Sequence, residues 1–523
     1  MAESNKKQLI ENTMWVYAAK MITQLLGLVA TVLVIRKLPV DTYGTYTFLF
    51  GLFFVYQLFI TSPVKNVLLR YIPEFRENGD GRVVRKMLGY SLMLSLFLII
   101  VFSGVLFIFR NGFARIFHIE ELDIHIKAFF VFVICYALKV LSETIIASFL
   151  KHPMSAKAGI WVMIFRSTAY FILLHKISVN ILLYVEAGVS MIFVVYVFRE
   201  ILKQIQWQKH NRVYGNSKEI KRRVLRFYLL SFFSELGYGI IGKTSDHYII
   251  AAMSSPFYVG LYGFALKIFE MFYKVLPFRE FESILKPVFF RRFSKSGSDG
   301  EINEFYMFSI KVLVPLFMLP VCYFLLFGKG VIIHVFEAKY LPAYWVCCIT
   351  LLGILLNGFF YPLNLVIQLK ERVEINLYSR VIAVFSIVAG IYLMKIYGIV
   401  GVAMATVTGE FLKNVFMLFM LRRYIPIRYA PKIFIRYGLI TFLIVLLLLP
   451  VSFYCASIPG WLLGSALFFL LYLVLVVNLH PLTDKDVKKL NELFASSTKL
   501  DKIYKKIIPI VDRLKINKTV GLF

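Results

Sequence analysis

Apolar stretches about 20 residues long recur along the whole chain, with short polar segments between them. A helix needs about 20 apolar residues to cross a hydrocarbon core roughly 30 Å thick, and it pairs its own backbone groups inside lipid. We therefore predict an all-α polytopic membrane protein with about 14 transmembrane helices. The predicted spans lie near residues 13–35, 43–63, 87–109, 128–150, 159–175, 179–198, 227–251, 260–283, 312–328, 345–369, 379–395, 398–420, 437–455 and 461–479.

Lys and Arg are concentrated in every second connection between these spans. About 42 of them fall on the side that holds both termini, about 9 on the other side and about 8 within spans. The positive-inside rule predicts that both termini are cytoplasmic and that the protein is a multi-pass protein of the cell (plasma or inner) membrane. The net charge of +29 then lies mainly at the cytoplasmic face, where we expect the basic residues to contact anionic lipid headgroups. We expect no nucleic-acid partner, because no folded cytoplasmic module is visible.

Composition agrees with a membrane bundle and leaves little room for other chemistry. The 523 residues are 59% hydrophobic, and no soluble domain of useful size is visible. The first span is too long for the core of a cleavable signal peptide, so we expect it to be an uncleaved anchor. The five cysteines lie in or beside spans without the spacing of a zinc site or a disulfide framework. We therefore expect no metal and no cofactor.

A short pattern is repeated where the second and eighth spans begin. Gly44, Tyr46 and Phe48 match Gly260, Tyr262 and Phe264 at one offset. We interpret spans one to six and seven to twelve as related bundles about an axis along the membrane normal. The predicted order is a six-helix lobe at 1–198, a basic cytoplasmic linker at 199–226, a six-helix lobe at 227–420, helices 13 and 14 at 421–479, and an amphipathic basic tail at 480–523 that either lies on the inner leaflet or stays solvated.

Four segments resemble one family of membrane transporters. They are Arg36–Gly44 (RKLPVDTYG), Arg70–Glu74 (RYIPE), Asp246–Ile250 (DHYII) and Tyr397–Thr406 (YGIVGVAMAT). In order and spacing the chain resembles the polysaccharide-transporter (Wzx-like) family of the multidrug/oligosaccharidyl-lipid/polysaccharide flippase superfamily. The resemblance implies two lobes around a central cavity that opens alternately to each side, and the flipping of a lipid-linked saccharide to the outer leaflet. We assign Arg70 as a candidate cytoplasmic gate.

Polar side chains inside the spans are the candidate functional residues, because charges at membrane depth are costly and usually face a bundle interior or an aqueous cavity. Fixed cations suit a polyprenyl phosphate or pyrophosphate, which Lys and Arg commonly bind. Asp246 and Glu235 share one face of the seventh span with Lys243, so they are our candidates for ion coupling. The candidate substrate contacts are Lys20, Gln24, Arg166, Lys243, Lys267, Lys274 and Asn357.

Each of these residues also has a purely structural explanation. Charged pairs within one helix neutralise each other, and long side chains near a helix end reach back to the interface. The structural alternatives are internal pairs at Lys139–Glu143 and Glu410–Lys413, a carboxylate or carbonyl partner for Arg166, a static Asp246–Lys243 pair, and snorkelling of Lys20 and Lys274.

Four functions remain open at this stage. The first is a flippase, acting as a monomer without nucleotide hydrolysis, since no ATPase-type phosphate loop is present. The second is a lipid II flippase or a cation-coupled drug exporter of the same superfamily, although Lys20 in the first span counts against an acidic exporter cavity. The third is a membrane glycosyltransferase or polymerase that uses Glu120, Glu121 and Asp123 of an outer loop. The fourth is a scaffold, which would leave the intramembrane charges without a purpose. We expect a transporter and not an enzyme.

Overall fold

The computed structural model describes residues 21–77, 81–119, 122–149, 151–207, 217–240, 243–275, 299–370, 372, 374–425, 431–453 and 457–479. Lys20, part of the 199–226 linker and the tail predicted at 480–523 lie outside this set. Every regular element in it is a helix, which confirms the all-α prediction. Contacts divide the chain into a first unit that ends at Gly263 and a second unit that begins at Phe264.

The first unit is built from ten helices and the start of an eleventh. Their bounds are α1 (21–37), α2 (Val40–Tyr56), α3 (Ser62–Glu77), α4 (Gly81–Ile108), α5 (Arg110–Ile116), α6 (Leu122–Ser148), α7 (His152–Ile172), α8 (Val179–Trp207), α9 (Ser217–Ile240), α10 (Lys243–Met253) and the first residues of α11 (Pro256–Val275). The second unit continues α11 and adds α12 (Asp299–Val331), α13 (Tyr344–Leu369), α14 (Glu374–Leu421), α15 (Pro431–Phe453) and α16 (Ile458–Leu479).

Nine helical segments of the described residues are long and apolar enough to cross a membrane. They cover the predicted spans two, three, four, six and nine to fourteen, and α14 carries spans eleven and twelve together. The chain turns inside α14 at Gly398, whose φ of 59° suits a residue without a Cβ. Within the described residues, the predicted fifth, seventh and eighth spans are also helical, as α7, α9 with α10, and α11. Residues 241–242 and 276–283 of these spans lie outside the described set. The polytopic membrane class is therefore confirmed.

The second predicted span is longer than the sequence indicated. Helix α2 passes through a π-helical turn, Gln57–Thr61, directly into α3, so the helical run extends well past residue 63 to Glu77. The hydroxyl of Thr61 donates to the carbonyl of Gln57 at 3.2 Å inside this turn. The buried side of α3, which includes Leu68 and Ile72, packs in a core with residues of α4, α6 and α9. Its other side carries charges, which is why hydropathy alone ended the span too early.

Contacts between helices join ends that the predicted topology places on the same side. On the predicted cytoplasmic side the pairs are Glu74–Arg223, Lys151–Glu200 and Asp299–Lys370. On the predicted outer side they are His118–Ala251, His125–Asn180 and Gly44–Gly260. This agreement supports the alternation of the spans, while the assignment of one side as cytoplasmic stays a prediction.

Helices α2 and α11 cross backbone to backbone at two glycines that the repeat equates. A Cβ on Gly44 would lie 1.8 Å from the carbonyl oxygen of Pro256, and one on Gly260 would lie 2.2 Å from the carbonyl oxygen of Val40. Pro256 and Val40 each stand four residues before the glycine of their own helix, so the two contacts mirror each other. Such close approach between membrane helices is typical of small residues. The two short segments that the predicted repeat equates therefore contact each other at this crossing.

The core of the second unit surrounds α12, which contains Pro315 and Pro320. Proline has no N–H, so Pro315 leaves the carbonyl of Lys311 without its intrahelical partner. The hydroxyl of Tyr437 in α15 donates to that carbonyl at 2.9 Å, and the hydroxyl of Tyr472 in α16 donates to the carbonyl of Pro315. Helices α15 and α16 therefore belong to the core of the second unit.

Candidate functional site

A buried charged network lies inside the first unit. The guanidinium of Arg166 in α7 donates from Nη2 to Oε2 of Glu186 in α8 and forms an ion pair with it. The hydroxyl of Tyr170, one turn further along α7, donates to Oε1 of the same carboxylate at 2.5 Å. The side chains of Arg166 and Glu186 are 18% and 6% exposed, so both charges lie within the helix bundle. The carboxylate partner that the sequence analysis allowed for Arg166 is therefore Glu186.

Helices α2 and α6 add polar groups to this network. Tyr46 of α2 and Tyr136 of α6 interact electrostatically with both Arg166 and Glu186. The ammonium of Lys139 lies 4.8 Å from the ring centroid of Tyr136, which is a cation–π distance, and it also interacts electrostatically with the Arg166–Glu186 pair. Four helices of one unit thus direct polar side chains to one region.

Apart from the exposed Glu143, this region holds two cations and one acid, together with a buried donor that has no partner among the described residues. Arg166 and Glu186 neutralise each other, whereas Lys139 is balanced mainly by an aromatic ring and by the exposed Glu143. The Nε of Arg166 is buried and has no hydrogen-bond partner among the described residues. A buried donor without a partner is costly, so a polar ligand or water is the kind of group that completes such a site. The arrangement favours anions and hydroxyl-bearing ligands.

The sequence analysis missed Glu186 and Tyr170. Glu186 is the only acid within the predicted sixth span, 179–198. A lone acid on one span and a lone Arg166 on the span before it each need a partner, because unpaired charge at membrane depth is costly. The sequence alone could therefore have predicted the Arg166–Glu186 pair.

The two candidates for ion coupling have different surroundings. Asp246 in α10 is 3% exposed and accepts a hydrogen bond of 2.5 Å from the hydroxyl of Tyr262. Glu235 in α9 accepts a hydrogen bond of 3.0 Å from the side-chain amide of Asn66 in α3. Residues 241–242 and the side chain of Lys243 lie outside the described set, so the shared face and the Asp246–Lys243 pair stay predictions.

A second ionic cluster joins α3 to α9 near the predicted cytoplasmic surface. Arg223 donates two hydrogen bonds to the carboxylate of Glu74, at 2.7 and 3.0 Å, and Arg70 lies 3.5 Å from it. These hydrogen bonds and the charge of Glu74 raise the pKa of Arg223. The ring of Tyr71 lies under both guanidinium groups, at 5.9 Å from Arg70 and 5.1 Å from Arg223. Arg70, the predicted gate residue, is thus part of a helix-to-helix contact.

The remaining candidates have partners within their own unit. Lys267 and Lys274 of α11 both contact Glu270, at 3.1 and 3.6 Å. The side-chain oxygen of Asn357 accepts a hydrogen bond of 2.7 Å from Asn414, which joins α13 to α14. Their roles in substrate binding stay predictions.

Three further residues of the sequence analysis lie in single helices. Glu410 and Lys413 form the expected pair within α14. Gln24 is half-buried on α1. Its place as a substrate contact also stays a prediction.

Comparison with known proteins identifies a family. The model of the family described as "Polysaccharide biosynthesis protein" matches residues 9–277, which is just over half of the chain. That range contains the charged network, the cluster at Glu74 and the glycine crossing. No curated protein matches the chain.

Solved structures of membrane transporters share the fold. A lipid II flippase MurJ in an inward closed conformation superimposes with a TM-score of 0.65 at 15% identity, covering 88% of this chain and 98% of that chain. An inward-facing multidrug resistance MATE family transporter of the MOP superfamily gives 0.60 at 14% identity, covering 79% and 97%. An outward-facing MATE family transporter gives 0.51 at 16% identity, covering 79% and 95%. At these identities the likeness is one of fold.

Proposed function

Because this chain belongs to the polysaccharide biosynthesis protein family, we propose that it is a flippase that moves a lipid-linked oligosaccharide or polysaccharide repeat unit from the inner to the outer leaflet of the cell membrane. It acts as a transporter and not as an enzyme. Its substrate is a saccharide on a polyprenyl phosphate or pyrophosphate carrier.

The observation that carries this proposal is the charged network of the first unit. A scaffold has no use for Arg166, Lys139 and Glu186 at membrane depth, where each charge is expensive. The network has more cations than buried acids, and three tyrosine hydroxyls accompany them. Guanidinium and ammonium groups bind phosphate, and hydroxyl groups bind sugar hydroxyls. The same excess of cations disfavours an exporter of organic cations, although multidrug resistance MATE family transporters share the fold.

The proposed mechanism is alternating access. The contacts that α3 and α9 make at Glu74 and Arg223 close the cytoplasmic side, with Arg70 as part of this gate. The energy comes from an ion gradient or the membrane potential, because moving one elementary charge through 100 mV provides about 2.3 kcal/mol. Asp246 is the first candidate for coupling, since it is buried at membrane depth and accepts a hydrogen bond from the hydroxyl of Tyr262. Glu235 is the second candidate.

The full chain in proteoliposomes tests the proposal. Lipid-linked oligosaccharide is supplied in one leaflet, and its appearance in the other is followed with a saccharide-binding probe that does not cross the membrane. We expect translocation in the wild type and a loss of about tenfold or more in Arg166→Lys, which keeps the charge but not the planar fork. Arg372→Lys, at a partly exposed ion pair of the second unit, is the matched control.

Three results contradict parts of this reading. If empty liposomes and proteoliposomes translocate the lipid-linked saccharide at equal rates, the flippase function is refuted. If Arg166→Lys and Arg372→Lys translocate the saccharide at equal rates, the charged network does not contact the substrate. If Asp246→Asn folds and keeps its full dependence on an imposed gradient, Asp246 does not couple transport to that gradient.

A further inference from the structure

The contact between α3 and α9 contains two arginines of the kind that bind phosphate, and here they hold the carboxylate of Glu74. Glu74 accepts two parallel hydrogen bonds from Arg223 and a third contact from Arg70. The planar fork of arginine matches carboxylate and phosphate with the same bidentate geometry. Tyr71 lies under both guanidinium groups at cation–π distances, and both groups contact the same carboxylate. The two arginines therefore present a preformed anion site, and Glu74 is the anion within the chain that occupies it.

The depth of this site matches the inner headgroup layer. The helical run begins at Val40, where α2 meets the predicted outer surface, and Arg70 follows 30 residues later. At about 1.5 Å per residue this distance is about 45 Å. A bilayer including both headgroup layers is about 40–45 Å thick. The guanidinium groups of Arg70 and Arg223 are therefore placed where lipid phosphates of the inner leaflet lie.

The ion pairs of the cluster are open to exchange. The side chains of Arg70 and Arg223 are 57% and 51% exposed, whereas that of Glu74 is 23% exposed. Exposed ion pairs add little net stability, because water and salt compete with them. A phosphate group that is anchored in the bilayer competes at a high local concentration, since it shares the same layer. We therefore expect that the arginines hold Glu74 in the absence of a competing anion, and that a lipid phosphate group can displace it.

We propose that Arg70 and Arg223 form a binding site for a lipid-borne phosphate group, which displaces Glu74 and so loosens the cytoplasmic contact between α3 and α9. After Glu74 is released, the Asn66–Glu235 hydrogen bond, eight residues before Glu74 along α3, still joins the two helices. The idea that this exchange admits substrate rests on the proposed flippase function. The phosphate site itself is inferred only from the positions of Arg70, Arg223 and Glu74.

Binding measurements on the full chain in nanodiscs of neutral phosphatidylcholine test the site. Polyprenyl diphosphate is the first probe and phosphatidylglycerol is the second. We expect Arg223→Gln to weaken binding about tenfold, and Glu74→Gln to strengthen it several-fold because the internal competitor is lost. Arg223→Lys, which keeps the charge without the fork, falls between wild type and Arg223→Gln. Arg372→Gln is the control, because Arg372 forms a similar partly exposed pair with Glu374.

The opposite effects of the two substitutions decide the result. A variant that merely fails to fold cannot bind more tightly, so stronger binding by Glu74→Gln supports the exchange. If Glu74→Gln binds no better than wild type, or if Arg223→Gln matches the control, the site is refuted. A response to polyprenyl diphosphate alone assigns the site to the carrier, and an equal response to phosphatidylglycerol assigns it to bulk anionic lipid.

The outcome is separable from that of the proposed function. If the binding pattern holds but no saccharide is translocated, the flippase function fails and the phosphate site stands. If translocation is observed but the variants bind like the control, the phosphate site fails and the flippase function stands.

Discussion

Replacing Gly44 with alanine tests whether the crossing of α2 and α11 is as tight as the structure shows. The added Cβ would lie 1.8 Å from the carbonyl oxygen of Pro256 and 2.9 Å from the amide nitrogen of Gly260. Both neighbours are backbone atoms, so no side chain can rotate away. An ordinary contact begins near 3.4 Å, and the helices must therefore separate by about 1.6 Å at this point.

The cost follows from overpacking. Inserting a methyl group into a well-packed contact typically costs about 1–3 kcal/mol, and a fixed backbone on both sides places Gly44→Ala at the upper end. Each 1.4 kcal/mol is about tenfold in the folding equilibrium, so the predicted loss is on the order of a hundredfold. The added methyl group also removes the close approach that stabilises membrane helix pairs by van der Waals contact.

Thermal unfolding in detergent, followed by tryptophan fluorescence, measures the effect. The matched control is Gly159→Ala in α7, where a Cβ meets nothing within 4 Å. Alanine is favoured over glycine inside a helix by about 0.5–1 kcal/mol, so the control unfolds at or above the wild-type temperature. If Gly44→Ala unfolds no lower than Gly159→Ala, the close crossing is wrong.

Three further predictions concern other parts of the chain. Arg166→Leu should destabilise the protein by about 3–5 kcal/mol because it strands Glu186, while the double variant Arg166→Leu/Glu186→Leu should recover much of that loss in thermal unfolding; no recovery would contradict the buried pair. Tyr437→Phe should cost about 1 kcal/mol or more, because the carbonyl of Lys311 loses its donor, and an unchanged unfolding temperature would refute this. A cysteine at position 215 should react with a membrane-impermeant thiol reagent only from the cytoplasmic side, and labelling from outside would overturn the predicted topology.

The spans could be predicted because they depend on local sequence. Hydropathy over about 20 residues decides whether a helix can cross a membrane, and no distant residue changes that. The bounds of the second span were less predictable, because the polar face of α3 lowers the hydropathy of a helix that continues unbroken to Glu77. A π-helical turn such as Gln57–Thr61 leaves no comparable signal in the sequence.

Some partners of the candidate residues could not be predicted, because those partners lie on other helices. Asn357 is a candidate substrate contact, and its partner Asn414, which donates a hydrogen bond to it, lies 57 positions away on another helix. The pair of Arg166 and Glu186 is an exception, because each is the only charged residue of its predicted span and therefore needs a partner. Hydropathy identifies the residues that break an apolar span, while their pairing depends on how the helices are rotated against one another.

The hydrogen bond from Tyr437 to Lys311 has a consequence for how the protein is made. The two residues are 126 positions apart in the chain, and the donor is synthesised last. At about 5–20 residues per second, a ribosome needs on the order of 6–25 seconds to add the tyrosine after the lysine. During that interval α12 is already long enough to enter the membrane, but the hydrogen bond from Tyr437 to the carbonyl of Lys311 cannot yet form. The second unit therefore completes its core only after α16, whose Tyr472 donates to the carbonyl of Pro315, has followed α15.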